Sequence, residues 1–496
     1  MLLRTLLASL SMLLLVAVIS ACKHDIPEKA VVPEVLDNYP PQIAAIIRSN
    51  CAVAGCHNAA SYQVSGGGLL MDTWEHLFDG GSHGATVVPY SPENSSLLYF
   101  TNSFPEFGPI PEDQSMRMPL NAPALSKDDY ITLRNWITNG APDKFGNVPF
   151  ASNAATRQKI YAVHQGCDYV TVIDAEKHVV MRMIPIGKLA TIETAHSIKV
   201  SSDGYAYISL WASQHVIKID TRTDSVVDDI NIGSPNSNML QLTPNGNELL
   251  ITNWFSNALL RLDVSSKQIL GTYGLGAFLA PHGIATNKSA DTFFVTEMRG
   301  NIVHRIPLSG GHRSISIDGT PPSTGAGKPD PHNIQMAPDY SKYFLSCEGS
   351  NEIRVMDAHS DTLIAKIDVG GTPQEMAISR APLTPYLFVT CLDDPNTKSI
   401  HKGSVYIINY KTHEFVRRIA DRYYMPHAIT LDDQRGILYV FSRNIDTSGP
   451  QPHHNSSVCE GRSGFYSIYN FKTLQPVNEK RYEVTVDPYS AATRFE

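Results

Sequence analysis

Seven times after about residue 157 the chain returns to the same short strand. The copies are 159–163, 205–209, 248–253, 292–296, 342–346, 386–390 and 436–440, each a run of alternating Tyr, Val, Ile, Leu, Phe and Thr. A second family of strands follows five of them at short distance: Val170–Asp174, Val216–Asp220, Leu259–Asp263, Ile353–Asp357 and Val405–Asn409. Two further strands complete each unit, one before and one after, with turn residues between. A period of about 42–53 residues with four short strands per unit predicts a β-propeller of seven blades, because no single unit can bury its own sheet faces. The first unit lacks a clear innermost strand before it. The segment around Tyr482–Val486 is expected to complete a neighbouring blade and close the ring.

These units, down to Ile251-Thr252-Asn253 and the Val-Ile-x-Ile-Asp strands, resemble the YVTN repeat family over about residues 157–487. That resemblance implies the fold and leaves function open, since propellers host many activities.

The innermost strands hold a further pattern. Ala195-His196-Ser197-Ile198, Pro281-His282-Gly283-Ile284, Pro331-His332-Asn333-Ile334 and Pro426-His427-Ala428-Ile429 place histidine at one position of four blades, with Met239 and Gln374 near that point in two others. Residues in register on a propeller converge near its axis, so His196, His282, His332 and His427 are expected around one mouth of the channel. The next strand-end position holds His164, Leu210, Asn253, Glu297, Cys347, Cys391 and Ser442, also rich in ligand types. Imidazole, thiolate and carboxylate suit copper, zinc or iron. The four histidines are therefore the candidate catalytic residues and the candidate holders of a second metal. The alternative is that each only satisfies backbone groups at a blade edge. Trp211 and Trp254, one step further along, read as packing. Nitrous oxide reductases, which hold copper with propeller histidines, and nitrite reductases, which seat a haem on a propeller, are similar in general architecture only.

Residues 1–22 carry Arg4, an apolar run from Leu6 to Ile19 and then Ser20-Ala21-Cys22, the pattern of a secretory leader. Ile19-Ser20-Ala21-Cys22 resembles a bacterial lipobox, which implies lipidation of Cys22 and an exported protein anchored to a bacterial membrane, on its periplasmic side or at the cell surface. Residues 23–40, with Pro27, Pro33, Pro40 and Pro41 in or beside them, read as a tether. In an oxidising compartment each cysteine needs an explanation. Cys167 and Cys459 both fall between the second and third strands of their blades, the first and the seventh, and are a candidate disulfide.

The segment 41–148 supplies another. A helix is expected over about Gln42–Arg48, running into Cys51-Ala52-Val53-Ala54-Gly55-Cys56-His57. Two thiols followed at once by histidine suit covalent haem, the spacing being four residues instead of two. A small disulfide loop is the other reading of the motif alone. Downstream stand Met116-Arg117-Met118-Pro119 and a segment from Ser126 to Pro142, with a helix-start signal at Ser126 and Asp129 and an apolar stripe of Tyr130, Leu133, Trp136 and Ile137. Together they resemble the class I cytochrome c family over about residues 40–145, departing from it at the cysteine spacing. The resemblance implies a small all-α domain with one covalent haem c on Cys51 and Cys56, axial His57, and Met118 as second ligand. Met116 is the runner-up; Met71, His76 and His83 stand behind it.

Charge excludes one class of function. Residues 23–150 hold 7 Lys and Arg against 14 Asp and Glu, a net of −7; residues 151–496 hold 32 against 34, a net of −2; Arg4 brings the total to −8. Nothing in this balance suggests nucleic-acid binding, which would need a basic face. The expected protein is thus a leader (1–22), a tether (23–40), a cytochrome c-like domain (41–148) and a propeller (157–496). Its expected role is electron transfer with a redox partner protein, with the propeller as redox or partner-binding platform. Electron carriage is favoured over independent catalysis, with an oxidoreductase centre on the propeller as the enzyme reading. The alternative is a propeller binding or scaffold module whose haem serves the partner.

Overall fold

Short strands joined by tight turns pair with their chain neighbours, so each repeat folds into its own antiparallel sheet. The aspartate that ends the third strand closes the turn to the fourth. Asp263 Oδ1 accepts the backbone N–H groups of Ser265 and Ser266, and Asp357 Oδ1 those of His359 and Ser360, the Asx geometry that makes Asp a turn residue. The computed structural model describes residues 38–496 except 112, 189, 326, 398–400, 421, 456, 457 and 496. The leader, Cys22 and nearly all of the tether lie outside the described residues. Seven sheets result, an all-β seven-bladed propeller. The second blade shows the pattern: Ala195–Val200, Tyr205–Leu210, His215–Asp220 and Ser225–Asn231, from inside to outside. Valine, isoleucine, leucine and phenylalanine of the two middle strands interleave between adjacent sheets and make the core.

Ring closure differs from the sequence expectation. The innermost strand of the first blade is Pro488–Thr493, which pairs with Lys159–His164. Tyr482–Val486 instead pairs with Ser463–Asn470 on the outer side of the seventh blade. Pro488-Tyr-Ser-Ala-Ala-Thr has small side chains and little β-propensity. It becomes a strand because the first blade offers it an open edge. The end is fastened by Arg494, whose guanidinium donates to the carbonyls of Ala154, Ala155 and Arg157.

The helical segment is the second departure. Helices form where the pattern placed them, at Pro41–Asn50 and Lys127–Thr138. Ser126 caps the latter: its Oγ accepts from Asp129 N and donates to Asp129 Oδ2. Ile43, Ile47, Leu133, Trp136 and Ile137 pack into a local core. The segment is nevertheless no separate all-α domain, for residues 38–496 form one compact unit. Val88, Ala85 and Phe150 join a cluster with Ile160, Val180, Tyr482 and Val484 of the first and seventh blades. The apolar surface left over by the small helical core is covered by the propeller's outer edge, which is why the two do not part. No helix among the described residues is long and apolar enough to cross a membrane.

Candidate functional site: the channel mouth and the Cys-His loop

Each innermost strand breaks register near its start. Ala195 pairs with Leu210 but Ser197 with Ser209, leaving His196 unmatched. The same shift recurs at this point in the other six blades. Such a bulge re-aims a side chain. The register identifies the seven equivalent residues as His196, Asn238, His282, His332, Gln374, His427 and Tyr489. Asn238, not Met239, is the third-blade member, and Tyr489 comes from the closing strand that the sequence reading missed. Its signal was present: Pro488-Tyr489 repeats the Pro-His of three other blades.

Five blades hold this bulge in place with one hydroxyl. Thr296 Oγ1 accepts Gly283 N–H (2.7 Å) and donates to the carbonyl of His332 in the next blade (3.0 Å). Ser209, Thr252, Ser346 and Thr390 do the same at their own bulges. The threonine of the repeated strand is therefore the link between blades. Gly283 is needed for a related reason: a Cβ there would lie 3.0 Å from the His332 carbonyl oxygen.

The structure brings the four histidines together. Ring centroids are 6.0 Å apart for His196 and His282, 4.0 Å for His282 and His332, and 6.0 Å for His332 and His427. Tyr489 closes the set, 3.8 Å from His427 and 4.7 Å from His196. All are buried. His282 Nδ1 bonds the carbonyl of His332 and His427 Nδ1 that of Tyr489, so both carry their proton on Nδ1. Gln165 donates from Nε2 to His196 Nδ1 and accepts from Arg443, which puts the His196 proton on Nε2. Burial, reinforced by the neighbouring imidazoles, holds all four well below the usual histidine range, His332 at about 3. They form a neutral, close-packed plug.

A second metal on the propeller, expected at these four histidines, is not shown. Among the described residues no three His, Cys, Asp or Glu side chains are placed to hold a metal ion. The rings lie against one another. The next ring is where the register predicts it, His164, Leu210, Asn253, Glu297, Cys347, Cys391 and Ser442 facing the strand starts. Its cysteines are thiols, not thiolates: burial pushes Cys347 up to about 12 and Cys391 further.

One residue beyond stands a half-buried rim of Gln165, Trp211, Trp254, Met298, Glu348, Leu392 and Arg443. Its two sides differ. Trp211 and Trp254 meet edge to face at 5.1 Å, with Trp211 5.6 Å from His196. Opposite, Arg443 forms a two-pronged ion pair with Asp487 and lies over Tyr489, and Glu348 accepts from Gln374. Phe255, Leu275 and Leu279 are exposed on the loops beside Trp254.

In the helical segment Cys51 is buried, Cys56 half-buried, and the two are unbridged. Burial and then Cys56 push the Cys51 thiol up to about 12. His57 Nδ1 lies 3.1 Å from the Gly66 carbonyl and 3.2 Å from that of Leu69. Met118 is half-buried, its N–H bonded to the Phe100 carbonyl. Cys167 and Cys459 are disulfide-bonded, with Cα atoms 5.5 Å apart.

No family model matches the chain, and no curated protein does. Among solved structures, a protein of unknown function from Desulfotomaculum acetoxidans is 14% identical, with a TM-score of 0.51 over 68% of this chain and 99% of its own. Kuenenia stuttgartiensis hydrazine synthase is 17% identical, at 0.45 over 61% of this chain and 92% of its own. The dihydro-heme d1 dehydrogenase NirN, in complex with DHE, is 14% identical, at 0.44 over 91% and 98%. The first likeness is one of fold, and the other two extend it no further.

Proposed function

We propose that this is an exported, lipid-anchored electron-transfer protein that carries one haem c on its helical segment and uses the propeller mouth as the docking face for its redox partner. The observation that carries the reading is the state of the Cys-His loop. Two thiols stand unbridged beside an imidazole whose Nδ1 is already held by two backbone carbonyls. That leaves Nε2 for iron, and orienting hydrogen bonds of this kind are what axial histidines make. Cys51 and Cys56 would take the vinyl groups and His57 the iron. Met118, next to Pro119, is the thioether that the cytochrome c resemblance supplies. When bound, haem supplies one-electron exchange. The chain's own residues orient the imidazole and, through the buried Cys51 and its apolar neighbours, keep water from one side of the loop. Cys22 would hold the protein at a bacterial membrane.

The test is expression with a haem-maturation system, then haem staining of denatured protein. The wild type should retain stain and Cys51→Ala/Cys56→Ala should lose it. Met118→Ala should keep covalent haem with a lowered potential. Haem removed entirely by acid-acetone from the wild type would overturn the proposal.

A second reading, a binding platform with no redox centre on the propeller, is favoured by the apolar rim. Trp254, Phe255, Leu275 and Leu279 make a surface suited to a protein partner. Phe255→Asp with Leu279→Asp should abolish partner binding and leave the haem potential unchanged.

A further inference from the structure

Glu297 of the second ring is the inner end of a polar chain that crosses the fourth blade outward. That blade runs from Pro281–Thr286 through Thr292–Glu297 and Ile302–Pro307 to the outermost strand, Arg313–Ser316. In the ladder His304 stands opposite Ser314 on one side and Val295 on the other. Glu297, two residues on from Val295, shares the same sheet face. We infer that Ser314, His304 and Glu297 form a nucleophile–base–carboxylate triad that hydrolyses small carboxylic esters. The Ser314 hydroxyl lies 3.2 Å from His304 Nδ1, and His304 Nε2 lies 3.2 Å from Glu297 Oε2. His304 and Glu297 are each 1% exposed, whereas Ser314 is open to solvent.

Hydrogen bonds assign the roles. Glu297 Oε1 accepts the backbone N–H groups of Leu279 (2.9 Å) and Ala280 (2.6 Å), which fixes the side chain. A carboxylate only accepts, so the His304 proton sits on Nε2, facing Oε2. Phe278 packs over the imidazole at 4.4 Å. The Nδ1 lone pair is thereby aimed at the serine, the arrangement of a nucleophile, its base and the group that orients the base. His312, exposed on the turn into the outer strand, brings Nε2 to 3.1 Å from the same Nδ1. Its N–H competes with Ser314 for that lone pair at rest. Once Nδ1 has taken the serine proton, the His312 N–H is released to donate to the oxyanion. Ser314 Oγ attacks the ester carbonyl carbon as its proton passes to His304 Nδ1. The imidazolium, paired through Nε2 with Glu297, returns that proton to the leaving oxygen as the C–O bond breaks. Water, deprotonated by His304 in the same way, cleaves the acyl-serine. One ester and one water give one acid and one alcohol. Ser314 lies on an outer strand and not in a cleft, so the substrate is a short-chain ester with a good leaving group.

The full chain is treated with a fluorophosphonate and its peptides are mapped by mass, and hydrolysis of p-nitrophenyl acetate is followed from pH 5 to pH 9. Ser314 should be the labelled serine. Ser314→Ala, at an exposed position that leaves the fold intact, should lose the label and about 100-fold in turnover. Glu297 is a positioning residue. Glu297→Gln turns an amide N–H toward His304 Nε2 and drives the imidazole proton to Nδ1, where it blocks the base. Labelling should slow by about 100-fold, and the single ionisation step of its pH profile should vanish. A label on another serine or on none overturns the inference. So does unchanged turnover in Ser314→Ala, or a folded Glu297→Gln variant with the wild-type pH profile.

Discussion

At the scale of single residues, the threonine of the repeated strand does the most for the fold. Thr296 serves two backbone groups at once, the bulged N–H of Gly283 and the carbonyl of His332 one blade on. Thr296→Val keeps the shape and strips both bonds, leaving a buried donor and acceptor unmet. A loss of about 2–4 kcal/mol is expected in denaturant titration. Phe441→Leu, at the equivalent place in a blade without the hydroxyl link, should cost less than Thr296→Val because no buried polar group is orphaned. The threonine was visible in the sequence as a repeated letter; its partner carbonyl was not, because that carbonyl belongs to a different blade. The histidines show the same division. Their recurrence in register was legible, and so was their meeting at the axis. How close the rings come, and which ring nitrogen the neighbouring blade's carbonyl engages, no residue pattern reports.

Among elements, the closing strand and the disulfide hold the same seam. Pro488–Thr493 joins the last residues of the chain to the first blade, and Cys167–Cys459 ties the first blade to the loop of the seventh. Buried Lys159 adds an ion pair to Asp224, and the Tyr161 hydroxyl donates to the same carboxylate, binding the first blade to the second. Replacing both cysteines by serine should cost about 2–5 kcal/mol, since the bridge closes a very long loop. The loss should appear as a lower melting temperature, and reductant should reproduce it in the wild type. Truncation after residue 487 should do worse. It removes Tyr489 from the plug and Arg494 from its three carbonyls, and soluble, monodisperse protein on size-exclusion chromatography is not expected.

For the whole molecule, burial of neutral imidazoles predicts an acid limit. His164, His196, His282, His332 and His427 are all held below the ordinary histidine value by burial, His164 and His332 at about 3. In the unfolded chain they take up protons near pH 6.5, while in the folded one they do not. Stability is therefore full above about pH 6.5 and falls as pH drops toward 3, by about 1.4 kcal/mol per pH unit for each such group. Melting temperature measured from pH 8 to pH 4 should fall steeply below about 6. A flat profile would mean that the plug is open to water. His196→Gln with His332→Gln should make the slope shallower.

Legible from the residues alone were the number of blades, the order of strands in all but the first, the alignment of the four histidines at the mouth and the composition of the Cys-His loop. All of these rest on short-range physics: alternation of apolar residues over a few positions, an Asp or Asn that closes its own turn, a cap three residues from its partner. Tertiary structure alone decided the rest. Pro488–Thr493 has no intrinsic call to be a strand and becomes one at an edge formed more than 300 residues earlier in the chain. The helical segment looks self-contained by pattern, but its helices leave apolar surface that the propeller edge covers. Local patterns specify elements; which open edges and uncovered faces meet is settled only when the whole chain buries them together.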